Sequence, residues 1–397
     1  MSKLMTALFI TSVTLQLHAQ VQNDVPTQTE IAKKGANFYF KNLPKNMGGN
    51  LLALLGLNQF PKLEKQHAAD TANPPFNMFK ASAERLKPSR EWSFPFYNSS
   101  HDMADVVKSE FGFCAGFSTA LRKVNMMAIY DEENKEQQVV PQKRTPEWFA
   151  FYKAKIDAMM NNKMTIVPGF ANTLEMSSNK EIAHYLKEVI VHQWQLTNVN
   201  LFQGLAGFLS VKKKPDLKEM QKVRNELASR ISYGYNPIVY LSKYNDKLMS
   251  KEQWIHVLQI YEASPIQADG SFTLRAWDIN ESAQEAVKLI TVDANAKIIM
   301  SEDVEITENS VRIGNYVQEK NADSLQNARE TISGGNELNN ILPLKWDELE
   351  IEQMIKNNKE FCAKRASIGT LKCTETALSE TDLTTMPVTS PRSNPGN

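Results

Sequence analysis

The chain lacks the motifs that would name its chemistry at sight. It has no Walker phosphate loop, no GxSxG elbow, no CxxC pair and no HExxH helix. A P-loop nucleotide site, an α/β-hydrolase serine, a thioredoxin-like redox pair and a zincin helix are therefore excluded. Net charge is lacking too: 45 Lys and Arg balance 45 Asp and Glu. No general attraction to nucleic acid follows from that balance. The single dense basic run, Lys212-Lys213-Lys214-Pro215, reads as a solvated turn. Beyond the amino terminus no segment is apolar enough to span a membrane. The best, Leu201 to Val211, is short and holds two glycines. No internal repeat occurs. Cysteine is scarce, with only Cys114, Cys362 and Cys373 present.

Histidine is sparse as well, at six residues. His184 and His192 lie eight apart on one expected helix, not at the four-residue spacing of a zinc helix. His101-Asp102 with Asp105 contains metal-ligand types, but a polar helix start is the simpler reading. His67 falls in a polar linker. No metal and no cofactor is expected.

The amino terminus has a basic start, Met1-Ser2-Lys3, an apolar run from Leu4 to Leu17, and then His18-Ala19. This pattern reads as a secretory signal peptide over residues 1–19. Export to the periplasm or outside the cell implies an oxidising compartment. Cys362 and Cys373 flank a small loop there, and a disulfide between them is the natural pairing. An odd thiol, Cys114, is then left over; the competing readings are an intermolecular bridge through Cys114 and no disulfide at all.

Residues 20–100 read as a helical and Pro-rich segment. Two helix-compatible stretches lie between Ile31 and Phe60, and a short helix near Met78 to Leu86. The aromatic run Trp92 to Tyr97 is too apolar to float free and is expected to pack on the main domain or line a cleft. Helices are expected at 146–163, 178–195 and 216–231, with another from Thr197 to Val211, so the span 146–250 reads as a mainly helical insertion. Ser242 to Ser250 reads as a polar connection. The period then changes from helix to strand. Trp254 to Tyr261 alternates, Asp269-Gly270 signals a hairpin, and Phe272 to Trp277 follows as its second strand. Further strands are expected at Lys288 to Val292, Lys297 to Met300 and Val311 to Val317. Residues 321–373 read as a helical end segment, with a helix from Glu348 to Phe361. Residues 374–397, rich in Ser, Thr and Pro, read as disordered.

The stretch Phe111-Gly112-Phe113-Cys114-Ala115-Gly116-Phe117-Ser118 carries the functional reading. Phe117, Leu121, Val124 and Ala128 recur at helical spacing, which places Cys114 at a helix N-terminus. The unpaired N–H groups and the positive dipole end favour an anion there, and the thiolate is the nucleophilic form of cysteine. Gly112 and Gly116 keep the backbone open to a substrate. Gly112 and Ser118 are the candidates for oxyanion or substrate contact. The competing reading is a small buried thiol.

A cysteine nucleophile needs a base and a group to orient it. His256 lies early on the first hairpin strand, with Leu258 and Ile260 in phase. Asp278 ends the second, in phase with Phe272, Leu274 and Ala276. Antiparallel pairing brings the two together. The carboxylate is expected to take the Nδ1–H of His256, leaving Nε2 for the thiol.

These pieces resemble the papain-like cysteine peptidase superfamily, in particular its bacterial Cys-His-Asp members. The resemblance rests on Gly112 to Ser118, on His256-Val257-Leu258-Gln259-Ile260-Tyr261 and on Trp277-Asp278-Ile279-Asn280, and covers roughly residues 100–300. It implies Cys114 as nucleophile, His256 as general base and Asp278 as orienting residue. The fold implied is α+β, a papain-like core over 101–320. A mainly helical half carries the cysteine, and an antiparallel sheet carries His256 and Asp278. The family often places Gln shortly before the cysteine as an oxyanion donor; this chain has Lys108-Ser109-Glu110 and no Gln. The expected function is an exported cysteine peptidase or amidase acting on a peptide or protein substrate. The alternatives are a transglutaminase-like acyltransferase with the same triad and a non-catalytic envelope binding protein on the same scaffold.

Overall fold

A computed structural model of the chain describes residues 85, 87–99, 101–107, 113–130, 139–199, 216–232, 235–243, 254–281, 287–314 and 316–343. The expected leader at 1–19, the helices at 31–60 and Glu348 to Phe361, Gly112, Cys362, Cys373 and the tail at 374–397 lie outside the described residues.

The described chain mixes helices with an antiparallel sheet. Helix α1, Cys114–Met127, is the axis of the helical part, and every residue from Ala115 to Met127 is buried. Sequence periodicity expects one apolar face, so burial on all sides needs a reason. The polar side chains of α1 supply it by satisfying backbone carbonyls elsewhere. Arg122 donates to the carbonyl of Asn236 (3.1 Å) and lies over the Tyr235 ring. Lys123 donates to the carbonyl of Met160 (2.9 Å). Asn125 donates to the carbonyls of Arg85 (3.1 Å) and Trp92 (2.9 Å).

Around α1 stand α2 (Pro146–Met160), the short α3 (Thr173–Ser177) and α4 (Lys180–Val199). Helix α2 starts where Pro146 occupies the first turn and the Thr145 hydroxyl accepts the N–H of Trp148. A two-stranded parallel pair, β1 (Ala128–Ile129) with β2 (Thr165–Ile166), joins α1 to the loop after α2. The aromatic run packs on this helical core, as expected: Phe94 and Phe96 stack on each other and meet Phe117 edge-on.

Helix α5 (Leu217–Ser232) leads into the sheet. Its strands are β3 (Ile238–Lys243), β4 (Trp254–Ala263), β5 (Phe272–Trp277), β6 (Val287–Val292) and β7 (Ile298–Glu302). A small antiparallel sheet follows, β8 (Val304–Ile306), β9 (Ser310–Ile313) and β10 (Tyr316–Glu319), then α6 (Ala322–Ser333). The last described stretch forms β11 (Asn336–Leu338) and β12 (Asn340–Pro343). The large sheet runs β11-β7-β6-β5-β4-β3-β12. Its two outer strands are successive parts of one segment, and Asn339 between them donates its N–H to the Ser242 carbonyl (2.8 Å). The sheet is therefore curled until residues 336–343 bridge both of its edges. Leu258, Ile260, Leu274, Ala276, Ile290, Val292 and Ile298 form its apolar cluster, joined by Met220 and Leu227 of α5.

Two boundaries differ from the sequence reading. The helical insertion ends with α5, because 238–243 is strand β3, buried on both faces and paired to β4. Residues 322–343 are part of the core rather than a separate end segment, since β11 and β12 complete the sheet.

Candidate active site

Cys114 opens α1, as the helical phase expects. It is free and half-buried, and packs with Ala115, Ile238, Val257, Trp194 and Tyr240. The seam between helix and sheet is fixed by two contacts of the next turn. Gln259 donates to the Ser118 carbonyl (2.7 Å), and the Ser118 hydroxyl points to the Val257 carbonyl (3.5 Å). Ser118 is thus fully buried and seats the helix on β4. Gly116 is not open to substrate either. A Cβ there would lie 2.2 Å from the Ile190 carbonyl oxygen and 2.9 Å from Trp194 Cβ. Its missing side chain lets α4 approach α1.

The hairpin forms around Asp269-Gly270, where Gly270 has φ +87° and Asp269 accepts the N–H of Ser271. Its register sets Gln259 opposite Trp277. Carried on, that register makes Asp278 the diagonal, same-face neighbour of His256. Their contact is direct: His256 Nε2–H donates to Asp278 Oδ2 at 2.6 Å. His256 also hydrogen-bonds the Cys114 side chain. Cys114, His256 and Asp278 are therefore brought together from α1, β4 and the end of β5. The ring is turned the other way from the sequence expectation. Nε2 meets the carboxylate, so Nδ1 is left for the thiol. The approach of the ring to Asp278 from a neighbouring strand decides this, and sequence order carries no information on it.

Asp278 is almost wholly buried and the His256 side chain is 16% exposed. Burial is the largest influence on the imidazole and works against its charge. The hydrogen bonds to Asp278 and Cys114, with the attraction of both groups, outweigh it and push His256 up to about 10. Burial likewise opposes the Asp278 charge, yet the bond to His256 and the two from Asn280 hold this carboxyl below the usual range. Asp278 Oδ1 accepts from Asn280 Nδ2 (2.8 Å) and from the Asn280 N–H (3.1 Å). The imidazole is thus held as a cation beside Cys114 and the Asp278 carboxylate.

A cavity of about 800 Å³ borders His256 and Asp278. Lys243, Glu281, Lys288, Glu302 and Glu330 line it. Lys288 is buried between Glu281 (2.6 Å) and Glu302 (2.5 Å). The metal-ligand types elsewhere serve structure. Asp105 accepts from His184 Nδ1 (2.9 Å) and Lys187 Nζ (3.0 Å), tying the 101–107 turn to α4. Among the described residues, no group of three or more His, Cys, Asp and Glu is placed to hold a metal ion. Among them too, no helix is long and apolar enough to cross a membrane.

Sequence reasoning reached Asn280 only as part of the Asp-x-Asn motif, and it missed Trp194 and Tyr240 beside the thiol. The spacing of apolar residues reports burial and not proximity to Cys114, so no local signal marks them. Comparison of the chain with protein-family models, with curated proteins and with solved structures found no match.

Proposed function

We propose that the chain is an exported, cysteine-dependent hydrolase of peptide or amide bonds built on a papain-like plan. One observation carries the reading: His256 sits between the Cys114 side chain and a buried Asp278 carboxylate. A helix start bearing the thiol, set against an antiparallel sheet bearing the base, supports the papain-like plan. The leader-like residues 1–19 support export.

The chemistry follows from the charges. The Cys114 thiolate attacks the carbonyl carbon, and the Cys114 N–H faces the developing oxyanion. The His256 imidazolium gives its proton to the leaving amine as the C–N bond breaks, which leaves a thioester. Water then attacks the thioester and gives a proton to His256; the C–S bond breaks, which releases the carboxylic acid and restores the thiolate–imidazolium pair. Asp278 holds the ring in place and stabilises its cationic form; it does not take the proton.

The test uses an activated acyl ester, with mass spectrometry of the trapped enzyme. Wild type gains one acyl group on Cys114, and both Cys114→Ala and His256→Ala lose the adduct while remaining folded. An equal adduct on Cys114→Ala sinks the proposal. Adding a primary amine separates hydrolysis from transfer: an amide product in place of the acid identifies a transglutaminase-like acceptor.

A further inference from the structure

The bonds around the candidate site close on themselves. Phe113, the residue before Cys114, donates its N–H to Asn98 Oδ1 at 2.5 Å. Asn98 Nδ2 donates to Asn280 Oδ1 at 2.7 Å. Asn280 Nδ2 donates to Asp278 Oδ1, whose other oxygen accepts from His256. His256 returns to Cys114, which the peptide bond joins to Phe113. Asn98 is the one member contributed by the segment ahead of α1.

We infer that Asn98 is a positioning residue for the thiol and imidazole. It holds the start of α1 at a set distance from the end of β5. The inference rests on the proposed roles of Cys114, His256 and Asp278. Three features support it. Phe113 is the N-cap of α1, and it offers no side-chain cap of its own. Asn98 takes its N–H from fifteen residues upstream, as the third helical residue does in a capping box. Second, a carboxamide meets both needs of the position on separate atoms, an acceptor toward Phe113 and a donor toward Asn280. That donor fixes which way Asn280 faces. If it were lost, the Asn280 amide could turn its oxygen toward the Asp278 carboxylate, where two acceptors would repel. Third, Asn98 is itself anchored. Phe94 and Phe96 are buried just before it, and the Tyr97 N–H is held by Asp102 Oδ2 (2.7 Å).

The experiment follows the alkylation rate of Cys114 by iodoacetamide as a function of pH, with adducts located by mass spectrometry. The readout is the ratio of the rate at about pH 6 to that at about pH 9. Asn98→Ala and Asn98→Asp should each lower this ratio about tenfold, the scale of one hydrogen bond to a charged group. Asn98→Asp keeps the acceptor for Phe113 and so guards against a folding failure of Asn98→Ala. Asn280→Ala breaks the ring from its other side and should act in the same direction. Asn125→Ala is the structural control, since Asn125 ties down the same segment through the Arg85 and Trp92 carbonyls without touching the ring. It should leave the ratio unchanged. A wild-type ratio in Asn98→Asp, or an equal fall in Asn125→Ala, overturns the inference. A wild-type thiol that follows the profile of free cysteine overturns the catalytic reading itself, and the inference with it, and is distinct from either result.

Discussion

Gly116→Ala is the sharpest test of how the helical part is assembled. Two effects oppose each other. Alanine favours a helix over glycine by up to about 1 kcal/mol, and less in a first turn. Against that, the new Cβ would lie 2.2 Å from the Ile190 carbonyl oxygen, where ordinary contact begins at 3.4 Å. The space is short by about 1.2 Å, the difference of those two distances. The obstacle is backbone, so no rotamer change relieves it, and α1 and α4 must part. Forcing atoms into a packed core costs about 1–3 kcal/mol, and occasionally more. The strain therefore outweighs the propensity gain, and the net effect should be a destabilisation of about 1–2 kcal/mol. The assay is urea unfolding followed by tryptophan fluorescence, with a lower midpoint and an unchanged slope expected. Adding Trp194→Ala should not rescue it, because the closest contact is the Ile190 carbonyl and the Trp194 atoms met are its Cβ and backbone N, which alanine keeps. A midpoint above wild type for Gly116→Ala would refute the close approach of α1 to α4.

Three further outcomes are expected. Asp278→Asn can still accept from His256 through its amide oxygen, so it should retain more turnover than Asp278→Ala, with both folded. Turnover of Asp278→Ala at the wild-type level would show that another group orients the ring. The pH dependence has a definite sign. His256 is raised from 6.5 to about 10, so its pair stabilises the fold fully below about pH 6.5 and progressively less up to about pH 10. Asp278 is lowered, so its share holds above about pH 4 and fades as pH falls further. The urea midpoints of wild type and Asp278→Ala should thus differ most near pH 5–6 and converge toward pH 10; a gap that widens with rising pH contradicts the ion pair. Mass analysis of the protein purified without reductant should find Cys362 joined to Cys373 and Cys114 free, and Cys114 in a disulfide would remove the nucleophile.

Much of the site was legible because it depends on local order. Helical phase places Cys114 at the start of α1, and strand phase plus a tight hairpin bring His256 beside Asp278. What escaped depends on distant partners. Strand β3 is buried on both faces, so Ile238 to Leu241 shows no alternation and cannot be told from buried helix by period. Asn336 to Pro343 is half polar by composition and becomes strand because two sheet edges accept it. Helix α6 has few apolar residues, and its clearest mark is the Asn321–Ser324 capping box. Asn98 bonds a residue 182 positions away, and no pattern in the sequence records that.

The bridging of both sheet edges by 336–343 also sets an order of events during synthesis. Strands β3 to β7 can pair as they emerge, each with the strand just made. The two outermost rows of N–H and C=O groups stay open until Pro343 has left the ribosome. Open edges recruit other chains. The same late segment then marks the moment when the walls around His256 and Asp278 become fixed.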